Sequence, residues 1–167
     1  MKNLSSLKPL LIVLAIIPLL ATSRDDKSSR STQNSIKVDE APFNVVVPML
    51  LGVSSNNEGH AYFNFTNGDF GNLKSLTVDF SYIGGGNVEG VYTFPENGTD
   101  RLLNNWLTEY TVFSVQEESF VPLQAGTVTV KHHGDNDYEI KMDLTMEDGT
   151  VINGTYRGDF EAQFKDK

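Results

Sequence analysis

An all-β fold, an antiparallel barrel or sandwich of about eight to nine strands with at most one short helix, is what this 167-residue sequence predicts. Three features point to it. Tyr138, Ile140, Met142, Leu144 and Met146 alternate with Glu139, Lys141, Asp143 and Thr145, the period of a half-buried strand. Asp148-Gly149 follows directly and carries the residues of a tight hairpin turn. Beyond it, Ile152, Tyr156, Phe160, Ala162 and Phe164 share one face of a returning strand, with Asn153, Thr155, Arg157, Asp159, Glu161 and Gln163 on the other.

The chain divides into three parts. Lys2 and Lys8 give a basic leader ahead of an uncharged apolar run over residues 10–20, and Ala21-Thr22-Ser23 offers small residues for cleavage. Residues 1–23 are therefore expected to be a secretory signal peptide. Spanning a bilayer takes roughly 20 apolar residues, and Pro18 interrupts this shorter run, so no transmembrane span is expected in the mature chain. Residues 24–35 contain no apolar side chain and are expected to form a flexible polar tether. A single β domain then occupies residues 36–167 and holds all six Tyr, all ten Phe and the sole Trp, the bulk from which a core is built.

Within that domain, residues 43–51 make a β-rich apolar run in which Pro48 predicts a sheet edge or a break. Ala61, Phe63 and Phe65 alternate with Tyr62 and Asn64 before an Asn67-Gly68-Asp69 turn, and Leu76, Val78, Phe80 and Tyr82 alternate with Thr77, Asp79 and Ser81. Gly84-Gly85-Gly86 reads as a permissive loop, and residues 91–94 as a short strand ended by Pro95. Leu102, Leu103, Trp106, Leu107 and Tyr110 recur at helical spacing behind the candidate caps Thr99 and Asp100, which predicts one or two helical turns with Trp106 against the sheet. The competing reading is a loop leading into a strand over residues 109–114. Residues 127–131 make a strand, followed by turn chemistry at Gly134-Asp135-Asn136-Asp137. Gly154 and Gly158 lie on the apolar face of the last strand and predict a bulge, a bend, an aromatic ring across the gap, or a ligand near the backbone.

Composition excludes several chemistries. Lys and Arg number 13 against 22 Asp and Glu, a formal charge of −9, and removal of residues 1–23 leaves 11 basic against 22 acidic side chains. No nucleic-acid partner is expected of such a chain, because neutralising phosphates takes clustered cations. Without cysteine there is no disulfide, thiolate nucleophile or thiolate-held metal. His132 and His133 point to opposite faces of a strand and would join one metal only with Asp135 and Asp137 past the strand end. A solvated loop is the favoured reading, and no metal is predicted. The segment from Asp135 fails as a calcium loop, with Ile140 at its sixth position and Met146 at its twelfth. No G-x-S-x-G elbow is present, and the only histidines are His60, His132 and His133, so a serine–histidine–carboxylate triad would have to be assembled by the fold. A glycosidase needs only two carboxylates about 5–10 Å apart, and with 22 acidic residues the possibility carries no information. Asn64-Phe65-Thr66, Asn97-Gly98-Thr99 and Asn153-Gly154-Thr155 match the glycosylation acceptor pattern and read as chance matches. No catalytic residue and no cofactor is predicted.

Residues 20–23, with Asp25-Asp26 beyond, resemble the end of a bacterial lipoprotein signal, except that Arg24 stands where the lipid-bearing cysteine would be. Export to an extracytoplasmic location is expected, with release rather than anchorage. Together with Gly90-Val91-Tyr92-Thr93-Phe94, Gly126-Thr127-Val128-Thr129-Val130, Asp148-Gly149 and Gly154-Thr155-Tyr156-Arg157-Gly158, these features resemble small exported all-β proteins of Gram-negative bacteria, some of them calycin-like or lipocalin-like. The Gly-x-Trp of lipocalins proper is missing. What the resemblance implies is a fold, and no catalytic residue carries over with it. The expected function is a non-catalytic module that binds a small apolar ligand or a glycan, with Phe80, Tyr92, Trp106, Tyr138, Tyr156 and Phe160 as candidate ligand-binding residues. The rival expectations are a cell-envelope structural or protein-interaction module, meeting its partner at residues 43–51, and a carboxylate-dependent polysaccharide hydrolase.

Overall fold

The hairpin anticipated around Asp148-Gly149 is formed. Strand β11 (Asp137–Met146) pairs antiparallel with β12 (Val151–Asp159), placing Leu144 opposite Ile152 and Ile140 opposite Tyr156. All four side chains are buried, as are Tyr138, Met142 and Met146. The computed structural model describes residues 32–54, 58–68, 72–83, 88–95, 101–114 and 118–166. The expected signal peptide, most of the tether, the triple-glycine loop and Asn97-Gly98-Thr99 lie outside the described residues.

Ten further strands precede this hairpin and one follows it. They are β1 (Gln33–Asn34), β2 (Lys37–Val38), β3 (Ala41–Pro42), β4 (Val47–Ser54), β5 (Glu58–Asn67), β6 (Asn72–Ile83), β7 (Gly90–Phe94), β8 (Arg101–Leu103), β9 (Glu109–Ser114), β10 (Glu118–His132) and, at the end, β13 (Glu161–Asp166). The fold is all-β, with thirteen strands among the described residues rather than the eight or nine expected. The surplus comes from pieces of two or three residues that hydrophobic periodicity cannot register.

Two antiparallel meanders, β4-β5-β6 and β10-β11-β12, form the body. Between them the sheet splits. Strand β9 bridges Asn72 to Thr77 of β6 and Glu118 to Pro122 of β10. The other halves of the same two long strands are bridged by β8 and β7, which meet in parallel at Leu102 and Thr93. Hydrogen bonds thereby run through a closed ring of five strands, β6-β9-β10-β7-β8. Strand β13 continues β12 past Phe160 yet pairs in parallel with β4, tying the end of the second meander to the start of the first. The curled sheet closes on one aromatic core: Phe63 and Phe65 of β5 meet Phe160 and Tyr156 at ring-centroid distances of 4.9 and 5.6 Å.

No helix occurs among the described residues, and the expected helical turns near Trp106 are a strand, one tight turn and another strand. Leu103 and Tyr110 are buried from β8 and β9 on either side of the turn, so two short strands reproduce a helical spacing of apolar residues. Hydrogen bonds from the Leu107 and Thr108 N–H groups to the Asn104 carbonyl, at 3.4 and 2.8 Å, close that turn. A helix would have to be nucleated from so short a segment, whereas the edges of β6 and β10 offer ready partners. Trp106, expected against the sheet, is 80% exposed at the turn's apex.

Pro48 breaks no strand. It lies in β4 opposite Phe65, one residue before the pairing with β13 begins at Met49. From Met49 onward β4 is covered on both sides.

Strands β1 to β3 form a strap over β12. Gln33 pairs with Arg157, the Ser35 N–H donates to the Thr155 carbonyl at 2.8 Å, and Asn34 Nδ2 donates to the Phe43 carbonyl at 2.7 Å. Residues 33–35, read from sequence as tether, thus belong to the sheet, and Ile36 and Phe43 enter the core. The strap explains a glycine on the apolar face: a Cβ on Gly154 would overlap the Ser35 carbonyl and the Ile36 Cα. At Gly158 the space is taken by the Tyr156 hydroxyl and Thr32.

Candidate functional site

Five of the six residues expected to bind a ligand form the interior. Phe80, Tyr92, Tyr138, Tyr156 and Phe160 are all buried, and the Phe80–Tyr92, Tyr138–Phe160 and Tyr156–Phe160 ring pairs are 4.5, 5.9 and 5.3 Å apart. These rings pack on one another. The Tyr92 hydroxyl donates to the Val88 carbonyl at 2.8 Å and accepts from Arg101 Nη1 at 2.9 Å, and burial pushes its pKa up to about 12 against the opposing charge of Arg101. Trp106 alone of the six faces solvent.

The turn carrying Trp106 is stitched to one carboxylate that composition could not distinguish from the others. Asp79 sits on the outer face of β6 yet is only 4% exposed. Its carboxylate oxygen Oδ1 contacts His60 Nε2 at 2.7 Å and accepts from Asn104 Nδ2, which also donates to Ser81 Oγ at 3.1 Å. Its backbone N–H donates to Thr108 Oγ1 at 3.0 Å, and its carbonyl accepts from the Asn104 N–H at 3.0 Å. Tyr62 stands directly opposite Asp79 on β5, and its phenol pKa is raised by burial and by the Asp79 charge. Carboxylate, imidazole, amide and hydroxyl groups are thereby held together where the turn that carries the exposed Trp106 begins. His60 and Ser81 are directly opposed in the same register, but Ser81 Oγ is engaged by Asn104. Alternation alone would place His60, Tyr62, Asp79 and Ser81 outward, but the β5–β6 register was not readable. Asn67 pairs with Lys74, a register that a tight turn at Asn67-Gly68-Asp69 does not give.

The histidine pair points two ways. The His132 ring stacks on Tyr138 with centroids 4.5 Å apart, while His133 Nε2 lies 3.4 Å from a Glu139 carboxylate oxygen. Asp137 is buried and gripped by Arg157, with Nη2 to Oδ2 at 3.1 Å and Nε to Oδ1 at 3.4 Å. Its charge is neutralised by that guanidinium.

A concavity lies at the strap. A cleft of about 450 Å³ runs between a wall of Asn67, Asn72, Lys74, Tyr110 and Val112 and a wall of Val38, Asp39, Pro42, Phe43, Asp148 and Thr150. Asp39 and Glu40 have φ of 48° and 65°, the two positive-φ positions of a two-residue hairpin between β2 and β3. Asp39 anchors that hairpin, its N–H donating to the Val151 carbonyl and its Oδ1 accepting from the Val151 N–H, each at 2.8 Å. Nothing in the sequence pattern signalled this cleft, because its lining is drawn from five separate segments.

No family model, curated protein or solved structure matches the chain.

Proposed function

We propose that this is an exported, non-catalytic β module that binds a neutral glycan on its outer face, with Trp106 as the stacking platform. The observation that carries the reading is an indole 80% exposed at the apex of a turn whose Asn104 is locked into the Asp79–His60–Ser81 network. An indole that the fold leaves in water keeps both its faces available for stacking. A flat exposed ring on a turn held in place by that network offers a sugar an apolar stacking face. The interior is a poor alternative, because the rings there touch one another. The acidic surface disfavours polyanionic chains, which leaves neutral sugars.

Trp106 is the sole tryptophan, so its emission reports directly on the site. Titration with soluble neutral oligosaccharides (gluco-, xylo-, manno- and chito-series) is expected to shift and saturate that emission with one series. Trp106→Ala should weaken binding, measured by affinity electrophoresis, by at least about tenfold, equivalent to roughly 1.4 kcal/mol. Emission unmoved by all four series at millimolar concentration overturns the reading.

A further inference from the structure

The cleft at the strap carries a separate inference, independent of the Trp106 surface. Its two walls differ in charge. Lys74, on β6, is the one basic residue among the described residues that line it, and it forms no salt bridge among the described residues. The facing wall brings Asp39 from the β2–β3 hairpin and Asp148 from the β11–β12 turn. Each of these carboxylates uses Oδ1 on a backbone N–H, from Val151 and Thr150 respectively, leaving Oδ2 to other donors. Tyr110 lies within the field of both, for its phenol pKa is raised by burial first and then by Asp39 and Asp148. Val38, Ala41, Pro42 and Val112 supply apolar surface, and Asn67 and Asn72 supply amides.

The geometry points to this cleft as a receptor for a short peptide with free ends, its ammonium against Asp39 and Asp148 and its carboxylate against Lys74. A nucleotide or phosphate would meet two carboxylates, and a neutral sugar would make no use of the opposite charges on the two walls. Two residues span roughly 7 Å extended, and a volume of about 450 Å³ accommodates them with one apolar side chain. The receptor wall is fixed in advance: the left-handed pair Asp39 and Glu40 is held by the double hydrogen bond to Val151, so little ordering remains for binding.

Calorimetric titration with the dipeptide Ala-Phe, its N-acetyl form and its C-terminal amide tests this. Free Ala-Phe is expected to bind, and each blocked form to bind at least tenfold more weakly. Lys74→Met keeps the apolar stem and should erase the preference for carboxylate over amide. Asp148→Asn should reduce the preference for ammonium over acetyl, Asp39 retaining the remainder. Both variants are checked for wild-type circular dichroism and melting. Trp106→Ala should bind Ala-Phe normally, so failure here is separable from failure of the glycan reading. Absence of heat with Ala-Phe at millimolar concentration, or a blocked form binding as well as the free one, overturns the proposal.

Discussion

The His60 imidazole meets the buried Asp79 carboxylate at 2.7 Å across the β5–β6 pair, and Asn104 reaches the same oxygen from the Trp106 turn. Asp79 therefore ties a surface turn to the sheet. Asp79→Ala removes the acceptor shared by both partners, and a buried network with a missing member costs about 1–3 kcal/mol. Urea unfolding should show that loss, and hydrogen exchange at residues 104–108 should accelerate. His60→Ala should cost less, since that ring is half in water. Equal stability of Asp79→Ala and wild type would remove the network from any account of how Trp106 is held.

Tyr82 and Tyr92 are neighbours in the core with opposite accounts. The Tyr82 hydroxyl is buried without a hydrogen-bond partner among the described residues, whereas that of Tyr92 has both Val88 and Arg101. Leaving a buried donor unsatisfied costs about 1–3 kcal/mol. Tyr82→Phe is thus expected to be neutral or to stabilise by up to about 1 kcal/mol, while Tyr92→Phe destabilises by about 1–2 kcal/mol. Paired denaturant midpoints decide it.

The strap provides a controlled comparison between two glycines with positive φ. Gly154, at 128°, lies under the Ser35 carbonyl, while Gly134, at 103°, has open space where a Cβ would go. Alanine at either position strains the backbone by about 1–2 kcal/mol. Only Gly154→Ala also collides with the strap. It should destabilise by clearly more than Gly134→Ala and expose the 33–43 segment to limited proteolysis. Equal losses would mean that the strap yields freely.

Much of the fold was legible, and the limits were physical. The β11–β12 hairpin announced itself because one face is dry over its whole length and Asp-Gly closes it. The strap did not, because two-residue strands have no period and Gln33, Asn34 and Ser35 look solvated until Gly154 is seen to make room for them. Five of the six aromatic residues expected to hold a ligand fill the core, because alternation cannot tell a filled interior from a lined pocket. The helical spacing around Trp106 is reproduced by two strands flanking a turn, and it is the competing reading, a loop leading into a strand over residues 109–114, that the fold adopts. Asp79 and the cleft residues were invisible individually, since their significance lies in register and in contacts between distant segments.

Alkali should unfold the domain through its tyrosines. All six have phenol pKa values raised above the ordinary value near 10, chiefly by burial, and Tyr92 is pushed up to about 12. In the window from 10 to 12 the unfolded chain loses the Tyr92 proton while the folded chain keeps it. The folded state binds more protons there, so stability falls as pH rises, by linkage. The contribution is complete below pH 10 and lost as pH passes through the folded value. Near-ultraviolet absorbance should show little tyrosinate just above pH 10, the half-buried Tyr62 contributing first. A cooperative rise should then coincide with loss of far-ultraviolet circular dichroism. A smooth titration centred near 10 with the dichroism intact would mean that water reaches these rings in the native state, and the packed aromatic interior would have to be abandoned.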